Sequence, residues 1–312
     1  MRARRTTIGL ASAVTALLAV PAFSQEPARA AEAEAPAGIE EVVVRGRRMS
    51  EIDDELRIFI KDFIGEVVRT PPGRGYARWN RRVCIGVSNL SSDAAQYIVD
   101  RISFLAVEVG LDVGEPGCNP NVIVIFATDA KFVATYMVEN EPLMFRPAGL
   151  GSNDMSLSRA ALAEFAASER VVRWWHVSMP VDARTGNPAI DIPGQGPPTI
   201  AVAGPSRIHS GVRDDLQQVL IVVDATKLSG TTWQQLADYL AVVSLAQIDP
   251  AASPAAFDSI LNLFSNPRAY SGLTDWDRAY VSALYEFDQE RKPNLQTGAL
   301  IGEMVRDPDV QR

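Results

Sequence analysis

Histidine is almost missing from this chain: His176 and His209 are the two in 312 residues, and neither sits in a His-Glu-x-x-His pattern. Lysine is scarce, and 38 Asp and Glu outnumber 30 Lys and Arg, for a formal charge of −8. With no basic stripe, nucleic acid is excluded as a partner, because phosphate binding needs clustered cations. Beyond the N-terminus no apolar run approaches the ~20 residues of a membrane span. The most apolar later stretch, residues 219–223, ends at Asp224. There is no P-loop, no G-x-S-x-G elbow and no internal repeat. Gly149-Leu150-Gly151-Ser152 lacks the later glycine and the preceding strand of a dinucleotide site.

What is present begins with Arg2, Arg4 and Arg5, the apolar run 8–20, and small residues around Ala22-Phe23-Ser24. This three-part pattern predicts a cleavable signal peptide over 1–24, with a second cut possible after Ala28-Arg29-Ala30 and an uncleaved anchor as the alternative. Cleavage moves the charge from −8 to −11, since three Arg leave and no acid does. The expected location is periplasmic or secreted. In such an oxidising compartment the even pair Cys84 and Cys118 reads as a disulfide, two buried thiols being the alternative.

Residues 25–49, opening with Ala, Glu and Pro, predict a disordered tether. Within it, Ile39-Glu40-Glu41-Val42-Val43-Val44-Arg45-Gly46-Arg47 resembles the segment near the mature N-terminus of TonB-dependent receptors, although no barrel follows. The resemblance leans towards a Gram-negative periplasm. An alternative role for residues 40–47 is an extended segment that docks on a partner's sheet edge.

An N-terminal helix is expected over 50–70, from Ile52, Leu56, Phe59, Ile60, Phe63, Ile64 and Val67 at helical spacing. One α/β domain should occupy 80–312. It opens as strand 83–87, helix 91–109 and strand 121–126. A parallel crossover would set the beginnings of both strands side by side, with Cys84 and Cys118 at those beginnings. Helices are expected over 129–138 and 156–168, and strands over 171–179 and 216–224. Further helices are expected over 231–248, 254–263, 274–285 and 295–305. The fold class is therefore α/β (α+β): a mixed sheet with flanking helices and a helical C-terminal third.

Two stretches in this order carry a family resemblance. One is Tyr239-Leu240-Ala241-Val242-Val243-Ser244-Leu245 on the long helix after the most apolar strand. The other is Gly272-Leu273-Thr274-Asp275-Trp276-Asp277-Arg278-Ala279-Tyr280-Val281-Ser282-Ala283-Leu284-Tyr285. Together they resemble the metzincin-like zinc metallopeptidases and exported bacterial proteins related to them. The resemblance implies a metallopeptidase-like scaffold with its metal helix at 239–243. Zinc peptidases need two His one helical turn apart and a Glu beside the first. The matching positions here are Tyr239, Leu240 and Val243, so the resemblance carries over a fold and no catalytic residue, metal or cofactor.

Other chemistry is thin. Ser206-Arg207-Ile208-His209-Ser210 crowds Ser and His together, whereas triad members usually converge from separate elements. Asp275 and Asp277 sit in a first helical turn, where capping explains them, and Asp214-Asp215 resembles an element entry. Glu139, Glu141 and Arg146 offer a cleft lining at most. The best binding hint is Arg173-Trp174-Trp175-His176: alternation on a strand sends one Trp inward and the other outward as a surface anchor or under a covering loop, with both Trp buried beneath helices and His176 a hydrogen-bonded sheet residue as the alternative; His209 is a further surface candidate. The leading expectation is a non-catalytic exported binding protein on a peptidase-like scaffold, with an envelope protein as partner. The alternatives are a hydrolase with an unusual site around His176 and His209, and an assembly factor using residues 40–47.

Overall fold

The computed structural model describes residues 49–147, 157–190, 199–200 and 206–311. The expected signal 1–24, the tether up to residue 48 with its receptor-like segment, and Gly149 to Ser152 lie outside the described residues. Residues 48–312 form one compact unit. Among the described residues, no helix is long and apolar enough to cross a membrane.

The N-terminal helix α1 spans Met49–Val67. Strand β1 (Ile85–Ser88), helix α2 (Ser92–Glu108) and strand β2 (Val122–Ala127) follow as a β-α-β unit. Helices α3 (Ala130–Asn140) and α4 (Arg159–Ala167) lead to strands β3 (Val172–Asp182) and β4 (Val212–Asp224). Helices α5 (Trp233–Leu245), α6 (Asp275–Glu286) and α7 (Pro293–Arg306) complete the chain. The sheet order is β1-β2-β4-β3, with the first three strands parallel and β3 antiparallel. The fold class is α/β with a mixed four-stranded sheet.

Central β4 explains the apolar run 219–223. Val219 stands opposite Val122 of β2 and His176 of β3, so the strand is flanked on both edges. Alternation then sends Val219, Ile221 and Val223 to one face and Leu220 and Val222 to the other, and helices cover both faces. The larger core joins α1, α2, α5, α6 and α7 on the first face. The smaller one joins α3, α4 and the 3-10 turn Pro142–Phe145 on the second.

Two expectations need correction. Residues 254–263 form no α-helix; only a 3-10 turn, Ile260–Asn262, appears there. Side chains claim the backbone groups a helix would use. The Asp277 carboxylate accepts from Ile260 N at 2.7 Å, and Asn262 Nδ2 donates to the carbonyls of Pro254 (2.8 Å) and Phe257 (2.9 Å). The last strand also starts earlier than residue 216, at Val212, with Asp214 and Asp215 inside it.

Cys84 and Cys118 are bonded, with Cα atoms 6.1 Å apart, inside the usual range for a disulfide. Parallel pairing places Ile85 opposite Val122, so the bridge lies where both strands begin. Asn121 reinforces it: its Oδ1 accepts from Cys84 N at 2.8 Å, and its Nδ2 donates to Arg82 O at 2.9 Å. The bond closes a separation of 34 residues. Replacing both cysteines by Ser is expected to cost roughly 3–4 kcal/mol on the chain-entropy account. Urea denaturation with and without a reductant checks it: reductant should weaken the natural chain and leave the double variant unchanged.

Candidate functional site

Helix α5, which carries Tyr239, Leu240 and Val243, starts with a capping box. Gln235 N donates to Thr232 Oγ1 at 3.2 Å, and Thr232 N donates to Gln235 Oε1 at 2.7 Å. From Gln235 to Leu245 every residue is buried. Leu240 and Val243 are sealed in the larger core, among hydrocarbon. Tyr239 packs edge-on to Trp174 and Phe264, at centroid distances of 6.1 and 5.0 Å. None of the three side chains is a good zinc ligand. Among the described residues, no group of three His, Cys, Asp or Glu is arranged to hold a metal ion.

A buried helix end needs partners for its last carbonyls. Here side chains from β3, from α6 and from the segment before β1 supply them. His176 Nε2 lies 2.7 Å from Val243 O, Trp79 Nε1 donates to Ser244 O at 2.8 Å, and Tyr285 Oη donates to Leu245 O at 2.7 Å. Just beyond the helix, Trp174 Nε1 donates to Ile248 O at 2.9 Å. Burial pushes the His176 ring down to about 4, against the opposing pull of the Val243 and Ala246 carbonyls, so it is neutral at pH 7 and donates one proton to the helix end.

This overturns the surface reading of Arg173-Trp174-Trp175-His176, all four of which are buried. Alternation does send the two Trp to opposite faces, but both faces are covered. Trp174 meets the larger core, while Trp175 packs against Phe145 and Phe165 and donates to Phe145 O at 3.2 Å. The Arg173 guanidinium is buried with no hydrogen-bond partner among the described residues, and burial lowers its pKa against the nearby carboxylates of Asp224, Glu169 and Asp129.

His209 is exposed and pairs with Asp288, Nε2 to Oδ2 at 2.8 Å. Ser206 Oγ accepts from the backbone of Ile208 and His209, and Ser210 Oγ donates to Val212 O. Among the described residues no serine hydroxyl bonds to the ring. His176 is sealed in the sheet core and His209 lies on the surface, so the structure does not assemble them into one site. Asp277 is buried and accepts from Ser259 Oγ (2.6 Å), Ile260 N (2.7 Å) and Thr274 Oγ1 (2.7 Å), while Asp275 is exposed, so the two share no cleft. Asp214 is buried beside Arg74 and accepts from Gly75 N at 2.7 Å; burial outweighs these partners and raises its pKa.

Three cavities stand out. One of about 340 Å³ lies between Ser210, Asp214, Lys292 and Gln296. Another, about 400 Å³, lies at the carboxyl ends of β2 and β4, between Asn89, Phe126, Asp129 and Phe132. The third, about 270 Å³, has Tyr239 among its walls. A surface the sequence reading missed lies on α3, which buries Ala130, Ala134 and Met137 and turns its large side chains outward. Phe132 is 64% exposed, Tyr136 52% and, on the following turn, Leu143 80%. The two rings face each other at 6.1 Å. The signal was there: alanines at i and i+4 beside aromatics at i and i+4.

The His176 environment sets a pH dependence. Unfolding returns the ring to its ordinary 6.5. Between about pH 6.5 and 4 the unfolded chain binds a proton that the folded one refuses. Stability is therefore lost as pH falls through that window, by up to about 3 kcal/mol. His176→Gln keeps an N–H donor and cannot titrate. In urea titrations between pH 7 and 4, the natural chain should lose stability relative to this variant; parallel curves would refute the assignment.

Comparison of the chain with protein-family models, curated proteins and solved structures finds no match.

Proposed function

We propose that this chain is a non-catalytic, exported binding protein on a metallopeptidase-like scaffold, and that it docks an envelope protein through the outer face of α3. The observation that carries this reading is the exposure of Phe132, Tyr136 and Leu143 together, on a helix whose small residues face the core. Large aromatics displayed on one face are the usual anchors of protein interfaces. Asp129, Glu139 and Glu141 lie around them on a chain of charge −8. The partner is therefore an apolar groove edged by Lys and Arg, and its binding weakens as salt rises.

The non-catalytic part is supported by Tyr239, Leu240 and Val243, where the resemblance calls for metal ligands and a base. Export is supported by the N-terminal pattern of Arg2 to Ser24 and by the disulfide, which belongs to oxidising compartments. The hydrolase alternative draws little support from an exposed His209–Asp288 pair that bonds to no serine.

The test uses the full chain in cells that export it. A photo-crosslinking side chain in place of Leu143 should give one discrete protein adduct. Phe132→Asp combined with Tyr136→Asp should abolish the adduct and leave thermal melting nearly unchanged, because both positions face solvent. An adduct that survives the double variant, or that forms equally from a crosslinker at Ile58, overturns the docking face. Stoichiometric zinc in the purified protein together with peptide cleavage overturns the non-catalytic part.

A further inference from the structure

The cavity beside Tyr239 lies between the entry to β3, the flank of α5 and the turns of residues 252–265. Its volume, about 270 Å³, equals that of about nine liquid waters. That suits a small molecule better than a protein side. Its walls are apolar in part, with Val172, Leu261 and Phe264, and polar elsewhere, with Glu169, Ser253, Asn262 and Ser265.

Two groups at this cavity are left with bonding capacity. Tyr239 is only 4% exposed, yet its hydroxyl has no hydrogen-bond partner among the described residues. Tyr239 lines the cavity, so a hydroxyl with no protein partner is open there to water or to a ligand. Burial raises its pKa, so the hydroxyl keeps its proton and can donate it. The second group is Arg170. Its Nη1 and Nη2 donate to the carbonyls of Ala252 and Ala251 at 3.3 and 3.2 Å, which holds the guanidinium at the rim. Those bonds engage two of five N–H donors. Arg170 makes no ion pair among the described residues. Its neighbour Glu169 is turned to Lys131, at 2.7 Å, and Lys227, at 3.4 Å. The charge of Arg170 is felt at the Tyr239 hydroxyl, which places both groups in one electrostatic environment.

We infer that this cavity binds a small monocarboxylate, its head accepting hydrogen bonds from Tyr239 and Arg170 and its apolar tail lying against Leu261 and Phe264. A phosphate monoester would suit the head but carries a second charge, and Arg170 is the one cation on these walls among the described residues. The carboxylate comes either from a free acid or from the C-terminus of a short peptide. The site is distinct from the α3 face, and neither depends on the other.

Calorimetric titration of the full, oxidised chain separates the possibilities, with hexanoate, hexanamide, N-acetyl-dialanine and its C-terminal amide as probes. The inference expects binding of an acid and not of its amide. Hexanoate alone binding identifies a free acid, and the dipeptide acid binding as tightly identifies a peptide C-terminus. Tyr239→Phe removes only the hydroxyl and should weaken binding about tenfold or more while leaving unfolding in the absence of ligand unchanged. Arg170→Gln should weaken it at least as much. Equal binding of acid and amide, no binding of either acid, or undiminished binding by Tyr239→Phe overturns the inference. So does a loss of ligand-free stability in Tyr239→Phe, which would mean that the hydroxyl serves the fold instead.

Discussion

Helix α5 ends inside the protein, and the rest of the fold is arranged around that fact. A helix terminus normally reaches water, which satisfies its last carbonyls. Here His176 from β3, Tyr285 from α6 and Trp79 from the segment before β1 each deliver one N–H or O–H to successive carbonyls. The same carbonyls therefore locate the sheet, the C-terminal helices and the N-terminal approach to β1 relative to one another. A polar side chain at any of these three places is a directional constraint as well as a buried group.

The terminus of α5 is surrounded by Trp, Tyr and a neutral His, so a charge added there would be left unpaired. The acid on this helix, Asp238, is buried nearer its start and pairs with Arg101. Leu240 and Val243 fill the layer between helix and sheet. Tyr239 packs its ring like its apolar neighbours and also lines a cavity. A core helix thus contributes both to packing and to a recess.

Much of the architecture could be read from the sequence, for local reasons. The strands around residues 85, 122 and 219 are short β-branched runs between turns, and the crossover between the first two was enough to pair Cys84 with Cys118. What stayed hidden depended on partners distant in sequence. Nothing near residue 260 announces that the Asp277 carboxylate will take its amide, so a helix seemed the natural reading. Alternation gave the opposite directions of Trp174 and Trp175, but the burial of Trp174 depends on α5 on the first face, and that of Trp175 on α3, α4 and the turn at Phe145 on the second. The exposed face of α3 was not legible either, because periodicity marks a helix over 129–138 without saying which face the sheet will cover; the covered face carries Ala130, Ala134 and Met137.

The two sides of the sheet are unequal in depth. Among the described residues, five helices share a continuous core on one side, while on the other α3 lies on Ala130, Ala134 and Met137 beside α4 and a short turn. Fewer apolar contacts hold the shallow side, so its helices should detach in brief excursions that leave the deep side intact, and their amide protons should exchange with solvent sooner. The exposed rings of Phe132 and Tyr136 thus ride on the layer that gives way more readily.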